Sequence, residues 1–285
     1  MFSANTIIAG GQLRRPAGRS FDLESLEFVE GSYSTGRRRV SFFAKVWPTP
    51  VFFLKFFWIV WRAAGKAKRG KYGDGDLARS SRGVIGALES VGVKFDLEGI
   101  ENMKSFEGPC VFVSNHMSTL ETVCFPGIIL SFKSVTFVVK ESLLHYPVFR
   151  HIMRAMKAVG VTRRNPREDL RAVLADGGRI LGEGKSVVVF PQTTRTTEFD
   201  PSDFNSLGVK LARRAGVPVV PVALKSDAWG AGPSFMRDIG RIDPSKTVRI
   251  CFGEPLVVEG RGDAEHGKVV EFIGSKLEEW NARRL

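Results

Sequence analysis

Cysteine is scarce in this chain. Cys110, Cys124 and Cys251 make an odd count, at spacings that match no zinc or redox pattern. A disulfide framework is thereby excluded, and Cys110 and Cys251, set in apolar strand-like stretches, read as buried thiols in a reducing compartment. Long hydrophobic runs are missing as well. No stretch reaches the roughly 18–20 uninterrupted apolar residues that a simple transmembrane helix needs. Residues 1–35 lack the apolar core and small-residue cleavage site of a secretory signal. Several reaction classes lack their signatures. Gly184-Lys185-Ser186 resembles the end of a phosphate loop, but Arg179 stands where a glycine is needed, and the triplet precedes a strand. No Gly-x-Ser-x-Gly elbow is present, which argues against a serine hydrolase. His145 and His151 have no accompanying metal-ligand set, and they read as a helix-start residue and a surface residue.

Acidic residues are in short supply, and their distribution is informative. The net charge is +12, and residues 1–82 carry nine of those charges, with fifteen Lys/Arg against six Asp/Glu. Between 37 and 71 there are ten basic residues and no acidic one. A basic balance of this kind fits a polyanionic partner: nucleic acid, an anionic membrane surface or an acidic protein. The same stretch holds the densest aromatic run, with Trp47, Trp58, Trp61 and Phe42, Phe43, Phe52, Phe53, Phe56 and Phe57. Pro48 and Pro50 break it in two. The run Val51–Trp61 is apolar on nearly every face except at Lys55, and is about half the length that spans a bilayer. Aromatics beside lysines suit the lipid headgroup layer, and Arg62, Lys66, Lys68, Arg69 and Lys71 would meet anionic lipid. Insertion into a membrane surface is therefore expected ahead of burial as an ordinary core helix. No recognition motif supports nucleic acid as a partner.

The organisation that follows has three parts. Residues 1–39, rich in Gly, Ser and Arg, read as a mobile basic tail with a short helix at Asp22–Val29. Residues 40–76 are the membrane-associated aromatic and basic helical segment, and 77–285 form an α/β domain. A helix is expected at Leu77–Val91. Beyond it, strands at Phe95–Gly99, Pro109–Ser114, Ser134–Val139, Ser186–Pro191, Val217–Leu224 and Val248–Phe252 alternate with helices at Thr119–Ser131, Leu143–Lys157, Pro166–Gly182, Asn205–Ala215 and Ala264–Ala282. Continuous apolar strands between helices predict a mixed, largely parallel sheet flanked by helices on both faces.

The segment Val111–Glu121, VFVSNHMSTLE, carries the chemistry. An apolar strand ends at Asn115-His116, and Ser118 with Glu121 three residues on fits a capping box. In one continuous helix His116 and Glu121 would stand about 140° apart. A helix that starts after the histidine lets the chain bend and the carboxylate reach the imidazole. A carboxylate on one ring nitrogen fixes the tautomer and leaves the other as a base for a hydroxyl proton. The plain alternative is a helix cap with an incidental histidine.

Asn-His-x-x-x-x-Glu at a strand end resembles the Asn-His-x-x-x-x-Asp signature of the glycerolipid acyltransferases, a family that includes the lysophosphatidic acid acyltransferases. Three further blocks follow in that family's order. Val161-Thr162-Arg163-Arg164-Asn165 sits at the arginine-ended block, VVVFPQTTRT (187–196) resembles Phe-Pro-Glu-Gly-Thr-Arg, and VPVVPVAL (217–224) resembles the later block with its proline, Pro221. The match covers roughly residues 90–260. It implies that His116 is the base and Glu121 its orienter, and that Arg163, Gln192, Thr194 and Arg195 bind the substrate, the two arginines at its phosphate. It implies no cofactor and no metal. The donor would be acyl-CoA or acyl carrier protein and the acceptor a lysophospholipid, on the cytoplasmic face of a membrane with anionic lipid. The departures are Glu121 for aspartate, Gln192 for glutamate, Thr193 for glycine, and Lys157 and Gly160 where the arginine block has glycine and phenylalanine. They bear on acceptor identity more than on reaction type. They also motivate the alternative of a catalytically inactive lipid-binding relative of the same fold.

Overall fold

The computed structural model describes Leu26, Phe28 and residues 31–192, 194–233 and 236–283. The expected helix at Asp22–Val29 and most of the expected tail lie outside the described residues. The described end of that tail is docked. β1 (Tyr33–Ser34) pairs antiparallel with β2 (Lys94–Glu98). Tyr33 and Thr35 donate hydroxyl hydrogen bonds of 2.5 and 2.6 Å to the buried Glu89 carboxylate, and Arg38 pairs with it at 3.2 Å. A mobile tail up to residue 39 is therefore corrected to a strap on the sheet edge from Gly31 onward. A two-residue strand has too little apolar pattern to be read from sequence.

Among the described residues the sheet has eight strands, in the order β1-β2-β8-β7-β3-β6-β4-β5. The others are β3 (Val111–Ser114), β4 (Val135–Lys140), β5 (Val159–Val161), β6 (Ser186–Val189), β7 (Val219–Lys225) and β8 (Thr247–Phe252). β2–β8, β7–β3, β3–β6, β6–β4 and β4–β5 are parallel, while β7–β8 is antiparallel. The mixed, largely parallel sheet is as expected. Its central strands β3, β6 and β7 are buried at every position, which is why they read as continuous apolar runs.

Helices cover both faces. Phe112 of β3 points to one core with α2 (Pro48–Lys68), α3 (Asp74–Glu89), α4 (Leu120–Ile129) and α5 (Phe149–Ala155). Val111 and Val113 point to the other, with α7 (Gly178–Gly182), α8 (Leu207–Ala215) and α9 (Asp263–Ala282). α6 (Pro166–Ala172) runs into α7 through one wider turn, Val173–Gly177, so the helix expected over 166–182 is nearly continuous. Gly208 lets α8 lie directly on β3, since a Cβ there would stand 2.5 Å from Val113 Cγ2. The helix expected over Leu143–Lys157 is shorter, with a single turn at Glu141–Leu144 and α5 beginning at Phe149. Pro147 lies between them; it offers no N–H and disfavours helical backbone at Tyr146.

The aromatic segment forms a short helix, α1 (Phe42–Val46), and α2. Pro48 and Pro50 sit in the first turn of α2, where helix N–H groups lack partners in any case. They mark a start, and the helix continues to Lys68. Its inner face belongs to the main core. Phe52, Phe53 and Phe56 pack edge-on around Trp229 with centroids 4.9, 5.6 and 5.3 Å away. Each buried ring contributes about 1.5–3 kcal/mol relative to exposure. The outer face leaves Leu54, Phe57, Trp58 and Trp61 exposed, next to Phe42, Phe43 and Trp47. Core burial and surface exposure were alternatives in the sequence, and α2 has one face of each kind.

Candidate active site

Strand order brings the site together. β3 lies between β7 and β6, so the loops leaving their carboxyl ends adjoin, and a crevice beyond such ends is where open α/β sheets bind ligands. Asn115 ends β3 by bonding β7 in both directions. Its amide donates to the Leu224 carbonyl at 2.8 Å and accepts from the Leu224 N–H at 2.9 Å. His116 is stitched to the loop after β6. Its N–H donates to Gln192 Oε1 at 2.7 Å, and its carbonyl accepts from Thr196 N–H at 3.0 Å. The imidazole stacks on Phe190 with centroids 4.4 Å apart.

α4 begins at Leu120, so the chain is free to turn between His116 and the helix. His116 Nδ1 lies 2.8 Å from Glu121 Oε1. An ionised carboxylate only accepts, so Nδ1 carries the proton and Nε2 is left as the basic nitrogen. Glu121 also performs the capping task. Oε1 accepts from the backbone N–H groups of Met117 (2.7 Å) and Ser118 (2.8 Å). Oε2 accepts from the hydroxyls of Ser118 (2.9 Å) and Ser226 (2.6 Å). Orienting acid and helix cap, competing readings in the sequence, are one side chain. Glu121 is fully buried, which by itself pushes its carboxyl pKa up. The hydrogen bond and charge of His116, the Ser226 hydroxyl and the Ser118 N–H outweigh that burial and hold it below the usual range.

Beside this pair opens a cavity of about 540 Å³ whose lining includes Met117, Ser118, Thr119, Arg195, Arg237 and Lys246. Arg195 reaches into it from the loop after β6. Its guanidinium donates to the Thr119 hydroxyl and pairs with Asp238 at 2.7 Å, while Asp238 accepts from the same Thr119 hydroxyl at 2.9 Å. Arg163 lies within electrostatic range of Arg195. Burial first, and then repulsion from Arg195, hold the Arg163 guanidinium below its ordinary value, against the pull of Asp169. The Arg163 backbone is in the left-handed region, at φ 58°, and Asp169 anchors it by accepting from the Thr162 and Arg163 N–H groups, both at 2.7 Å.

The other sequence candidates fall out unevenly. Gln192 is buried, and both ends of its amide bond within the protein, the oxygen to His116 N–H and the nitrogen to Thr196 Oγ1 at 2.9 Å. Its acceptor therefore holds the His116 loop. Thr194 is exposed, and Thr193 lies outside the described residues. Lys157, in the place of the family's glycine, has φ 56° and so takes the backbone form glycine favours. At Gly160, where the family has phenylalanine, an added Cβ would meet Leu144 Cδ1 at 2.8 Å, so Leu144 fills that space from the neighbouring turn. Ser226 and Asp238 were not found in the sequence, because neither belongs to a motif and each reaches the site only through the fold.

Residues 94–225 match the family model described as Acyltransferase. A 1-acyl-sn-glycerol-3-phosphate acyltransferase of Pseudomonas aeruginosa is 28% identical over 189 residues, covering 66% of this chain and 68% of that protein. The chloroplastic 1-acyl-sn-glycerol-3-phosphate acyltransferase BAT2 of Brassica napus is 34% identical over 163 residues, which span 57% of this chain and 45% of that protein. The crystal structure of the 1-acyl-sn-glycerophosphate acyltransferase of Thermotoga maritima superposes with a TM-score of 0.62 at 21% identity, over 84% of this chain and 98% of that one; at that identity the likeness speaks for the fold. The matched region runs from β2 to the end of β7, so this chain carries an acyltransferase domain similar to those of the 1-acyl-sn-glycerol-3-phosphate acyltransferases.

Proposed function

We propose that this enzyme moves a fatty acyl chain from the thioester of acyl-CoA or an acyl carrier protein to the hydroxyl of a lysophospholipid, with lysophosphatidic acid as the acceptor. The observation that carries the reading is the 2.8 Å His116–Glu121 pair beside a cavity into which Arg195 projects. The acceptor hydroxyl attacks the thioester carbonyl while His116 Nε2 takes its proton. The new O–C bond forms, the C–S bond breaks, and the proton passes to the departing thiolate. Glu121 holds the tautomer and stabilises the imidazolium that develops. Arg195 and Arg163 hold the acceptor phosphate. No covalent enzyme intermediate and no cofactor enter this scheme.

The proposed setting is the cytoplasmic leaflet. Among the described residues no helix is long and apolar enough to cross a membrane. The outer face of α1–α2 instead offers exposed aromatic and aliphatic side chains beside a basic helix end at Lys66 and Lys68. Such a helix lies in the headgroup layer, where anionic lipid adds attraction. Trp58→Ser/Trp61→Ser should reduce co-sedimentation with vesicles containing phosphatidic acid about tenfold and leave the thermal melt unchanged, because both rings face outward. Unchanged sedimentation would exclude this face as the anchor.

The reaction is tested by thiol release from acyl-CoA in detergent, with and without lysophosphatidic acid, for wild type and His116→Ala. Acceptor-dependent release that drops at least about a thousandfold in the variant is the expected result. Equal release by both proteins would remove His116 as the base. Binding of lysolipid without turnover on any donor would favour the inactive, lipid-binding alternative.

A further inference from the structure

We propose that Ser226 is a positioning residue for this reaction: its hydroxyl fixes the carboxylate of Glu121 and so adapts a site with the longer acid to the task of holding His116. The inference rests on the dyad reading above. Glutamate has one more rotatable bond than aspartate, so its carboxylate needs an additional anchor to stay in the imidazole plane. The donors on Oε1 come from residues 116–118, the same turn that Glu121 itself caps. That turn and its acid could shift as one body. Oε2 has one donor from outside it, Ser226 Oγ at 2.6 Å, reaching across 105 positions of sequence from the end of β7.

Ser226 is itself fully buried. Its oxygen lies 2.9 Å from Ser118 Oγ, whose single hydrogen is shared between Ser226 Oγ and Glu121 Oε2 while Ser226 donates to Glu121. Ser118 Oγ in turn accepts from Leu120 N–H at 3.1 Å, at the start of α4. The chain of bonds therefore ties the acid to β7 and to the first turn of α4. β7 is already locked to the dyad strand by Asn115 and Leu224. Ser226 thus references Glu121 to the same rigid strand that references His116. A second-layer bond of this kind sets the orientation of the group that orients the base.

Four variants test the proposal: Ser226→Ala, Ser226→Cys, Glu121→Asp and Glu121→Asp/Ser226→Ala, assayed beside His116→Ala. Ser226→Ala should lower kcat about tenfold or more, the effect of one lost hydrogen bond to a charged group. KM for donor and acceptor should stay within about twofold, because Ser226 is not on the cavity lining. Ser226→Cys fills the site with a slightly larger group that donates poorly, so it should be nearly as slow as Ser226→Ala; full activity in Ser226→Cys would mean packing and overturn the proposal. The shorter acid of Glu121→Asp withdraws from Ser226, so removing the hydroxyl in that background should change kcat less than about twofold. Effects that multiply in full would also overturn it. If Ser226→Ala matches wild type while His116→Ala is dead, the Ser226 inference fails and the dyad stands; if His116→Ala is active, the dyad reading itself fails.

Discussion

At the floor of the cleft Glu121 has no exposed surface, and its two oxygens accept from His116, Met117, Ser118 and Ser226. At its mouth the Arg195 side chain is 24% exposed and is shared between Thr119 and Asp238, the latter 62% exposed. The two ends are built for different demands. A proton acceptor needs one tautomer and one orientation, and a buried carboxylate with unfilled oxygens would be costly by several kcal/mol, so its surroundings leave it no freedom. A headgroup must enter and leave. An ion pair near water contributes about 0–1 kcal/mol, so a ligand can displace it cheaply.

The floor is the place to expect the largest effect. Glu121→Gln keeps the shape, but the amide can present a donor to Nδ1 and so favour the wrong tautomer. kcat should fall by about a thousandfold or more with little change in KM, measured by thiol release at saturating donor. The same variant separates stability from catalysis through pH. The folded-state pKa of Glu121 lies below its ordinary value of 4.5. Its ionised form therefore contributes stability above that value, and the contribution is lost as the pH falls through the lower folded-state pKa. Thermal melts of wild type and Glu121→Gln should be well separated at neutral pH and converge as the pH falls below 4.5 through the lower folded-state pKa. A gap that is constant with pH would mean that the native carboxylate is not what the network stabilises.

The floor was also the part of the site that could be read before folding. His116 and Glu121 are five residues apart, and the strand, turn and capping pattern that joins them is local. Arg195 came from a motif. Ser226 and Asp238 were not legible, since they meet Glu121 and Arg195 only because β7 lies beside β3. The sheet's helices and long strands follow from periodicity, whereas β1 and β5, of two and three residues, are shorter than any period that could announce them. α2 is a different failure. Its run Val51–Trp61 is apolar on nearly every face except at Lys55, so the sequence there does not say which face meets solvent; Trp229, far along the chain, meets the face of Phe52, Phe53 and Phe56.

The mouth should answer more mildly and in KM. Arg195→Lys keeps the charge but loses the planar fork that matches phosphate oxygens. KM for a phosphate-bearing acceptor should rise about tenfold, or about 1.4 kcal/mol, with kcat changed less than about threefold. An acceptor without phosphate, such as a monoacylglycerol, should not distinguish the two proteins. A drop in kcat as large as that of Glu121→Gln would erase the distinction between floor and mouth, because it would place Arg195 in the chemical step.

Asp238→Asn isolates the contact that makes the mouth soft. The carboxylate sits on Arg195 and Thr119, where the acceptor phosphate is proposed to bind, so phosphate entry has to displace it. An asparagine still accepts from Thr119 but gives up the charge. Because an exposed pair contributes at most about 1 kcal/mol, KM for lysophosphatidic acid should fall by no more than about fivefold. The gain should shrink at high salt, where the pair in the wild type is already screened. kcat should not rise. Measured inhibition by inorganic phosphate should strengthen by the same factor, since phosphate competes for the same guanidinium. If KM instead rises, Asp238 holds Arg195 in its binding geometry, and the mouth is as pre-organised as the floor.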